Sequence, residues 1–341
     1  MSRRNRAYYL RRRPQGTTTG VDLELVEERV PDLGPGQALV RTTHLSVDPT
    51  TRVWMSDYPA YMPSAPLDAV LRGVGVGEVV ESRRDDLPVG ATVLGWTDWQ
   101  DYCVADDSAL ISPFTVLPDP LPAPPGAFLG VLGHTGITGW LGVDIGRPQP
   151  GDTVVVSAAG GAVGSVGGQL AKLAGARVVG IASGPDKCRH VTTTLGFDTC
   201  VDRTAADWRD QLDAATPDGV DMDFENVGGE IMDHVLGRLR IGARVVLCGM
   251  ISGYDALGSG SSAGQHEISQ LIMKRATMHG FLVFDHADRF ATIVDELAGH
   301  LAAGRLHADE TVLDGLEKAP DALGQLFTGA NLGKIVVRTR V

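Results

Sequence analysis

Cysteine is scarce in this sequence, aromatic residues make up only 6% of it, and it has no long apolar run. Its four cysteines, Cys103, Cys188, Cys200 and Cys248, are scattered with no C-x-x-C pair. Neither a disulfide framework nor a thiolate zinc site is therefore signalled, and each cysteine is expected to be a small buried hydrophobe. No apolar stretch of about 18 residues occurs, and the arginine-rich opening MSRRNRAYYLRRRP is not followed by the apolar core of a signal peptide. The expectation is a cytoplasmic protein with no membrane association. Net positive charge is also missing. The formal charge is −12, which excludes a general nucleic-acid binder, because tracking phosphates needs a basic face. Small molecules are the expected partners.

What is present suits a globular enzyme. Of the 341 residues, 43% are hydrophobic and 21% charged, too apolar a mixture for disorder and too long a chain for one core. From Tyr8 to about Leu117, short stretches such as LELVEERV, QALVRTTHLSV and GVGEVVES alternate with Pro- and Gly-bearing turns, the grammar of an antiparallel, barrel-like unit. After the proline-rich SPFTVLPDPLPAPPGAF, apolar strands (TVVVSAA, RVVGIA, VDMDFENV, ARVVLCG, MHGFLV) alternate with helical stretches, which predicts a parallel sheet covered on both faces. The fold class is thus α/β, a doubly wound parallel sheet plus a barrel. The expected division is 1–122, completed by about 305–341, against 123–304.

The segment VVVSAAGGAVGSVGGQLAKLAGARVVGIASGPDK, Val154 to Lys187, places its glycines at a strand-to-helix turn. Such a turn offers backbone N–H groups to a dinucleotide pyrophosphate. The pattern is Ala158-x-x-Gly161-x-x-Gly164, with alanine at the first position of the usual G-x-G-x-x-G. Gly161 permits close approach of the phosphates, and Gly164, Gly167 and Gly168 permit close packing of helix on strand. The closely spaced glycines of RGVGVGEVVE open onto a strand pattern instead, where glycine marks a bulge or a close backbone contact.

One further absence is informative. An NAD site ends its second strand with an acidic residue for the ribose 2′-hydroxyl, yet here that point reads IASGPDK. Ser183 and Gly184 leave room, Lys187 adds positive charge, and Arg203 approaches from the next strand. The cofactor predicted is NADPH.

With these residues in hand, the chain resembles the zinc-independent medium-chain reductases of the leukotriene hydroxydehydrogenase / prostaglandin reductase type, which include alkenal double-bond and curcumin reductases. The resemblance runs nearly end to end, through LSVDPTTR, WQDYCVAD, AAGGAVGSVGGQLAK, LGFD, DFENVGG, LCGMISGY, GFLV and NLGKIVV. It implies a GroES-like barrel joined to a Rossmann domain, and a homodimer. It further implies NADPH contacts at Ala162, Val163, Gly164 and Ser165, with Lys187 at the 2′-phosphate beside Ser183 and Asn226 near the ribose; Arg203 stands where a tyrosine is usual, and its charge strengthens the 2′-phosphate reading. Cys248, Gly249, Ile251, Ser252 and Tyr254 of CGMISGY, with Phe281, Leu282 and Val283, would surround the nicotinamide, and Asn331 would reach in from NLGK. The substrate side departs from the family pattern. Thr50 of DPTTR, beside Arg52, replaces an aromatic, and GHTGITGW puts His134 and Trp140 where methionine and tyrosine are usual. These four residues and Tyr254 are the expected substrate contacts.

A reductase of this kind delivers hydride to the β-carbon of an α,β-unsaturated carbonyl, and a hydrogen-bond donor must meet the charge that builds on the carbonyl oxygen. Tyr254 and His134 are the catalytic candidates, and no metal is expected. Two alternatives stay open: a biosynthetic reductive cyclase that closes a ring by the same hydride addition, and a non-catalytic NADPH-binding sensor. The run GYDALGSGSSAGQHE is expected to be a loop beside the nicotinamide.

Overall fold

The computed structural model describes residues 3–16, 21–106, 113–257 and 267–339. In the N-terminal third, the alternating sequence forms short strands: β1 (Arg4–Leu10), β2 (Leu23–Arg29), β3 (Ala38–Ser46), β4 (Ala69–Val70), β5 (Gly75–Ser82), β6 (Thr92–Gly95), β7 (Tyr102–Ala105) and β8 (Thr115–Val116), with one short helix, α1 (Thr50–Trp54), after β3. The glycines of RGVGVGEVVE lie in or beside β5. A β-carbon on Gly77 would stand 2.6 Å from the Arg41 carbonyl, close to where the β3–β5 register shifts between Thr42 and His44. This is the close backbone contact that the strand pattern implied.

The central part contains α2 (His134–Gly146), β9 (Thr153–Ser157), α3 (Ala162–Leu173), β10 (Arg177–Ala182), α4 (Pro185–Thr193), β11 (Thr199–Asp202), α5 (Trp208–Ala215), β12 (Val220–Glu225), α6 (Gly229–Arg238), β13 (Leu239–Leu247), α7 (Ser269–Lys274), β14 (Thr277–Gly280) and α8 (Phe290–Ala302). Its six strands are parallel in the order β11-β10-β9-β12-β13-β14. This is the doubly wound arrangement, with its switch point between β9 and β12. Alternation explains the unbroken apolar run of β9: Val155 joins Val179, Val245 and the α5–α6 residues Leu212 and Val235 in one core layer, while Val154 and Val156 join Val178, Phe224 and Val246 in another. The expected strand MHGFLV stops at Gly280, and a 3₁₀ segment takes over at Val283–Arg289.

The tail adds β15 (Glu310–Asp314), α9 (Ala319–Thr328) and β16 (Lys334–Arg338). β16 pairs with β15 and with β3, so the end of the chain completes the sheet ordered β15-β16-β3-β5-β6-β8, with β7 also on β3. This return carries Asn331 and Lys334 to the glycine turn, where the Gly333 N–H donates to the Gly160 carbonyl at 2.8 Å.

Candidate active site

The nucleotide side of the cleft is built almost wholly from backbone. Ala158 leaves β9 with φ of 51°, a left-handed conformation that glycine adopts more easily, so the alanine at the motif's first position carries local strain. A β-carbon on Gly164 would meet the Ala158 carbonyl oxygen at 2.5 Å. Only glycine allows α3 to start this close to the strand. No side chain caps α3, so the first-turn N–H groups of Ala162, Val163 and Gly164 are left to an external acceptor, an anion site at a helix N-terminus. Gly167 and Gly168 do different work: β-carbons there would strike the Phe224 ring at 2.2 Å and the Phe197 ring at 1.9 Å.

A buried carboxyl organises the switch point, and sequence reasoning missed it. Glu225 ends β12 fully buried, and its Oε1 accepts from Ser157 Oγ at 2.7 Å, from the Gly228 N–H at 2.9 Å and from the Val227 N–H. Ser157 Oγ in turn accepts the Asn226 N–H at 2.7 Å, and Asn226 Nδ2 donates to the Ser157 carbonyl at 3.0 Å. Burial pushes the Glu225 carboxyl up against these opposing hydrogen bonds, and it pushes up the neighbouring Asp223 as well. The available signal was the acidic residue at every second position of VDMDFE, Asp221, Asp223 and Glu225, within a sheet of apolar strands.

At the far end of β10, Ser183 Oγ accepts from Arg203 Nε at 2.7 Å. Lys187 reaches back to the carbonyls of Gly329 (2.8 Å) and Asn331. Asp202 is occupied by the Gly184 and Thr204 N–H groups, and Asp186 pairs with Arg189 at 2.9 Å. Two cations therefore flank the turn, and of its two carboxylates Asp202 is held by backbone N–H groups and Asp186 by Arg189.

The opposite wall is made of side chains. The cleft is about 430 Å³ and brings Thr50, Trp54, Tyr61, Trp96 and His134 against Tyr254, the Phe281–Phe284 segment, Cys248, Gly249, Ile251 and Asn331. Trp54 meets Trp96 with ring centroids 5.8 Å apart and Tyr61 at 6.5 Å. Phe284 lies 6.2 Å from Tyr61 and 5.0 Å from the His134 ring. Sequence reasoning missed Trp54, Tyr61, Trp96 and Phe284. Tyr61, from the loop after α1, lines the same cleft as Thr50, so an aromatic from another loop stands beside the space vacated there. Below them, Lys334, 2% exposed, donates to Asp48 at 2.6 Å and to the Val47 carbonyl at 2.8 Å.

Tyr254 sits in the 3₁₀ segment Ile251–Ala256. Its phenol oxygen accepts the Met250 N–H at 3.3 Å. Burial raises its pKa above the ordinary tyrosine value, so the O–H is a standing donor at neutral pH. Burial pushes His134 the other way, below its ordinary value, with Asp48 opposing and Lys334 assisting. The imidazole is neutral at pH 7.

Several expected contacts lie elsewhere. Trp140 does not line the cleft; Arg289 covers its ring at 4.8 Å, because the turn of α2 that begins at His134 carries residue 140 around the helix. Arg52 does not line it either. Its fully buried guanidinium donates to the carbonyls of Gly16 (2.9 Å) and Asp255 (3.2 Å), tying the Tyr254 segment to the barrel. Ser252 donates to the Val227 carbonyl at 2.6 Å, and Ser165 is buried within α3. Of the run GYDALGSGSSAGQHE, residues 258–266 lie outside the described residues. A separate, shallower hollow, lined by Arg238, Arg240 and Lys274, opens at the amino ends of β12 and β13, away from the carboxyl ends where such sheets bind ligands.

The comparisons with known proteins bear on this cleft. Residues 6–112 match the family described as the N-terminal domain of oxidoreductase, and residues 162–299 match that described as zinc-binding dehydrogenase. The NADPH-dependent curcumin reductase of Escherichia coli (strain K12) is 41% identical over 98% of this chain and 97% of its own. This chain belongs to the medium-chain dehydrogenase/reductase family. Within that family, the NADP(+)-dependent 2-alkenal reductase of Nicotiana tabacum is 35% identical over 92% of this chain and 90% of its own. The crystal structure of CurA in complex with NADPH from Vibrio vulnificus superposes with a TM-score of 0.92 at 40% identity, over 98% of this chain and 99% of that one.

The residues of this cleft do not fit the zinc that one family description names. Cys103 is buried inside β7. Burial pushes the Cys248 thiol up to about 12, the reverse of what a thiolate ligand needs. Among the described residues, the cleft brings no three His, Cys, Asp or Glu ligand atoms together.

Proposed function

We propose that this chain reduces the C=C bond of an α,β-unsaturated carbonyl with NADPH. One observation carries the reading: the phenol of Tyr254 shares a single cleft with the uncapped N-terminus of α3. The uncapped N–H groups of Ala162, Val163 and Gly164 fit a pyrophosphate, and Lys187 with Arg203 fits a 2′-phosphate. Asn226 and Asn331 line the path between, and Phe281 to Val283 with Cys248, Gly249 and Ile251 frame the nicotinamide end.

When bound, the cofactor supplies the hydride that adds to the β-carbon. Tyr254 then donates its O–H to the substrate's carbonyl oxygen, where the electron pair displaced from the C=C bond collects as an enolate. A proton from water at the α-carbon completes the saturated product. The wall of Trp54, Tyr61, Trp96 and Phe284 selects a flat, conjugated, apolar acceptor and excludes bulk water. His134 borders it as a neutral, polar edge.

Three finer statements belong to the same reading. The chain divides functionally near 122/123 and 304/305. It works in the cytoplasm; no described helix is long and apolar enough to cross a membrane. It forms a homodimer through the β14 edge, beside which Ile272 and Met273 of α7 are 76% and 64% exposed. The test is NADPH oxidation at 340 nm over a panel of enones and enals, with product mass. Substrate-dependent oxidation with a two-hydrogen gain is expected. NADPH binding without oxidation by any acceptor would leave a sensor, and a product with an added ring would make the enzyme a cyclase.

A further inference from the structure

Outside the cleft, the fold assembles a set of ligating side chains that the proposed hydride chemistry does not use. His190 on α4 meets His307 and Asp309, which lie in the segment leading into β15. One ligand atom from each falls within 4.8 Å of the others. The Asp309 carboxylate stands between the imidazoles, with Oδ2 2.7 Å from His190 Nε2 and Oδ1 2.9 Å from His307 Nε2.

We infer that His190, His307 and Asp309 bind a divalent transition-metal ion, Zn²⁺ by their chemistry, as a staple between α4 and the C-terminal segment. Two imidazoles and one carboxylate are a borderline-soft N₂O set that suits Zn²⁺ over Mg²⁺ or Ca²⁺, with water as the fourth ligand. Tetrahedral bonds of about 2.0–2.1 Å put ligand atoms roughly 3.3 Å apart. The present spacings reach this by side-chain rotation, with the imidazoles closing and the carboxylate backing off.

The backbone beneath is already held. Buried Gln169 grips His307 from both sides, its Nε2 donating to the His307 carbonyl at 2.9 Å and its Oε1 accepting the His307 N–H at 2.8 Å. The Asp309 carbonyl accepts the Lys334 N–H at 2.9 Å. Preorganisation of this kind raises metal affinity. No described Lys or Arg pairs with Asp309, whose ion pairs are the two histidines, so its charge is available to a cation. His307, with a side chain 49% exposed, leaves an entry path.

The ion would fasten α4, which carries Lys187, to the strand beside Gly333 and Asn331, and so stiffen the seam behind the glycine turn. It lies apart from Tyr254 and takes no part in hydride transfer. The test uses the full chain stripped with EDTA. Calorimetric titration with Zn²⁺ alone is expected to give one ion per chain with a dissociation constant below about 10 µM. Saturation should raise the melting temperature by roughly 3 °C or more, and Co²⁺ should give the visible bands of a tetrahedral site. His307→Gln, at a half-exposed position where folding is not at stake, and Asp309→Asn should each weaken Zn²⁺ at least about tenfold while leaving NADPH affinity unchanged. No binding up to about 100 µM, or binding with the same constant in both variants, would overturn the proposal and leave Asp309 as a hydrogen-bond bridge between two histidines.

Discussion

The two walls of the cleft recognise their ligands by different means. On the nucleotide wall, the groups that meet the ligand are backbone N–H groups at the start of α3, brought into position by glycines whose β-carbons would collide with the Ala158 carbonyl. On the substrate wall they are side chains, Trp54, Tyr61, Trp96, His134 and Phe284, drawn from separate segments. Backbone recognition restricts residue choice within one short segment and so leaves a local trace. Side-chain recognition is spread over loops and can be rebuilt, as Tyr61 and Thr50 on one cleft wall illustrate.

Four experiments bear on this contrast. The largest effect is expected at the backbone wall. Gly164→Val would drive a side chain into the Ala158 carbonyl, where even a β-carbon stands at 2.5 Å, and should abolish measurable NADPH binding, read by cofactor fluorescence alongside circular dichroism of the fold. Binding within twofold of the original chain would show that the cradle is not the recognition element.

Next comes Tyr254→Phe, which keeps the ring and removes the donor. Turnover on an enone should fall roughly 10- to 100-fold with NADPH affinity held within about twofold. An unchanged rate, with hydride transfer shown to be limiting by a deuterium isotope effect, would make Tyr254 a packing residue.

The third experiment probes the charged end of the nucleotide wall. Lys187→Ala should weaken NADPH about tenfold or more and NADH little, since one charge-assisted bond contributes about 1.5–3 kcal/mol. Lys187 also holds the carbonyls of Gly329 and Asn331. Arg203→Ala, which removes a cation that among the described residues donates to Ser183 alone, is therefore the companion variant, and equal losses for both cofactors in both variants would refute the 2′-phosphate assignment.

The smallest effect is expected behind the substrate wall. Burial pushes the Asp98 carboxyl up to about 7, and Arg72, whose guanidinium lies 5.8 Å from the Trp54 ring, opposes the shift. With its folded pKa raised above the unfolded value of about 3.9, this group's stabilising contribution is full below pH 4. It is lost as the pH rises through 7. Asp98→Asn keeps an acceptor for the Gly73 N–H and cannot ionise, so it should melt a few degrees higher than the original chain at pH 8 and alike at pH 4. A difference that does not vary with pH would show that Asp98 stays ionised.

The alternating strands, the parallel sheet and the glycine turn were legible because each rests on a local period or a steric demand. Val154, Val155 and Val156 announce a strand buried on both faces, and Gly164 announces a close approach. The substrate wall was legible only in part. Thr50 and His134, singled out as departures from the family pattern, both line the cleft. Trp140 and Arg52 were noticed by the same reasoning and do not line it. A matching motif places a residue on an element, while the rotation of that element decides which way its side chain faces.

By itself, then, this sequence determined its two-part α/β architecture, its dinucleotide turn and the want of an acid at the ribose, since periodicity, glycine sterics and charge act over neighbouring residues. Only the tertiary structure decided which aromatics face the substrate, that Glu225 ties the switch point together, and that His190 meets Asp309 across 119 positions. Such contacts follow from how strands and helices cross, and no local pattern encodes the angle of a crossing.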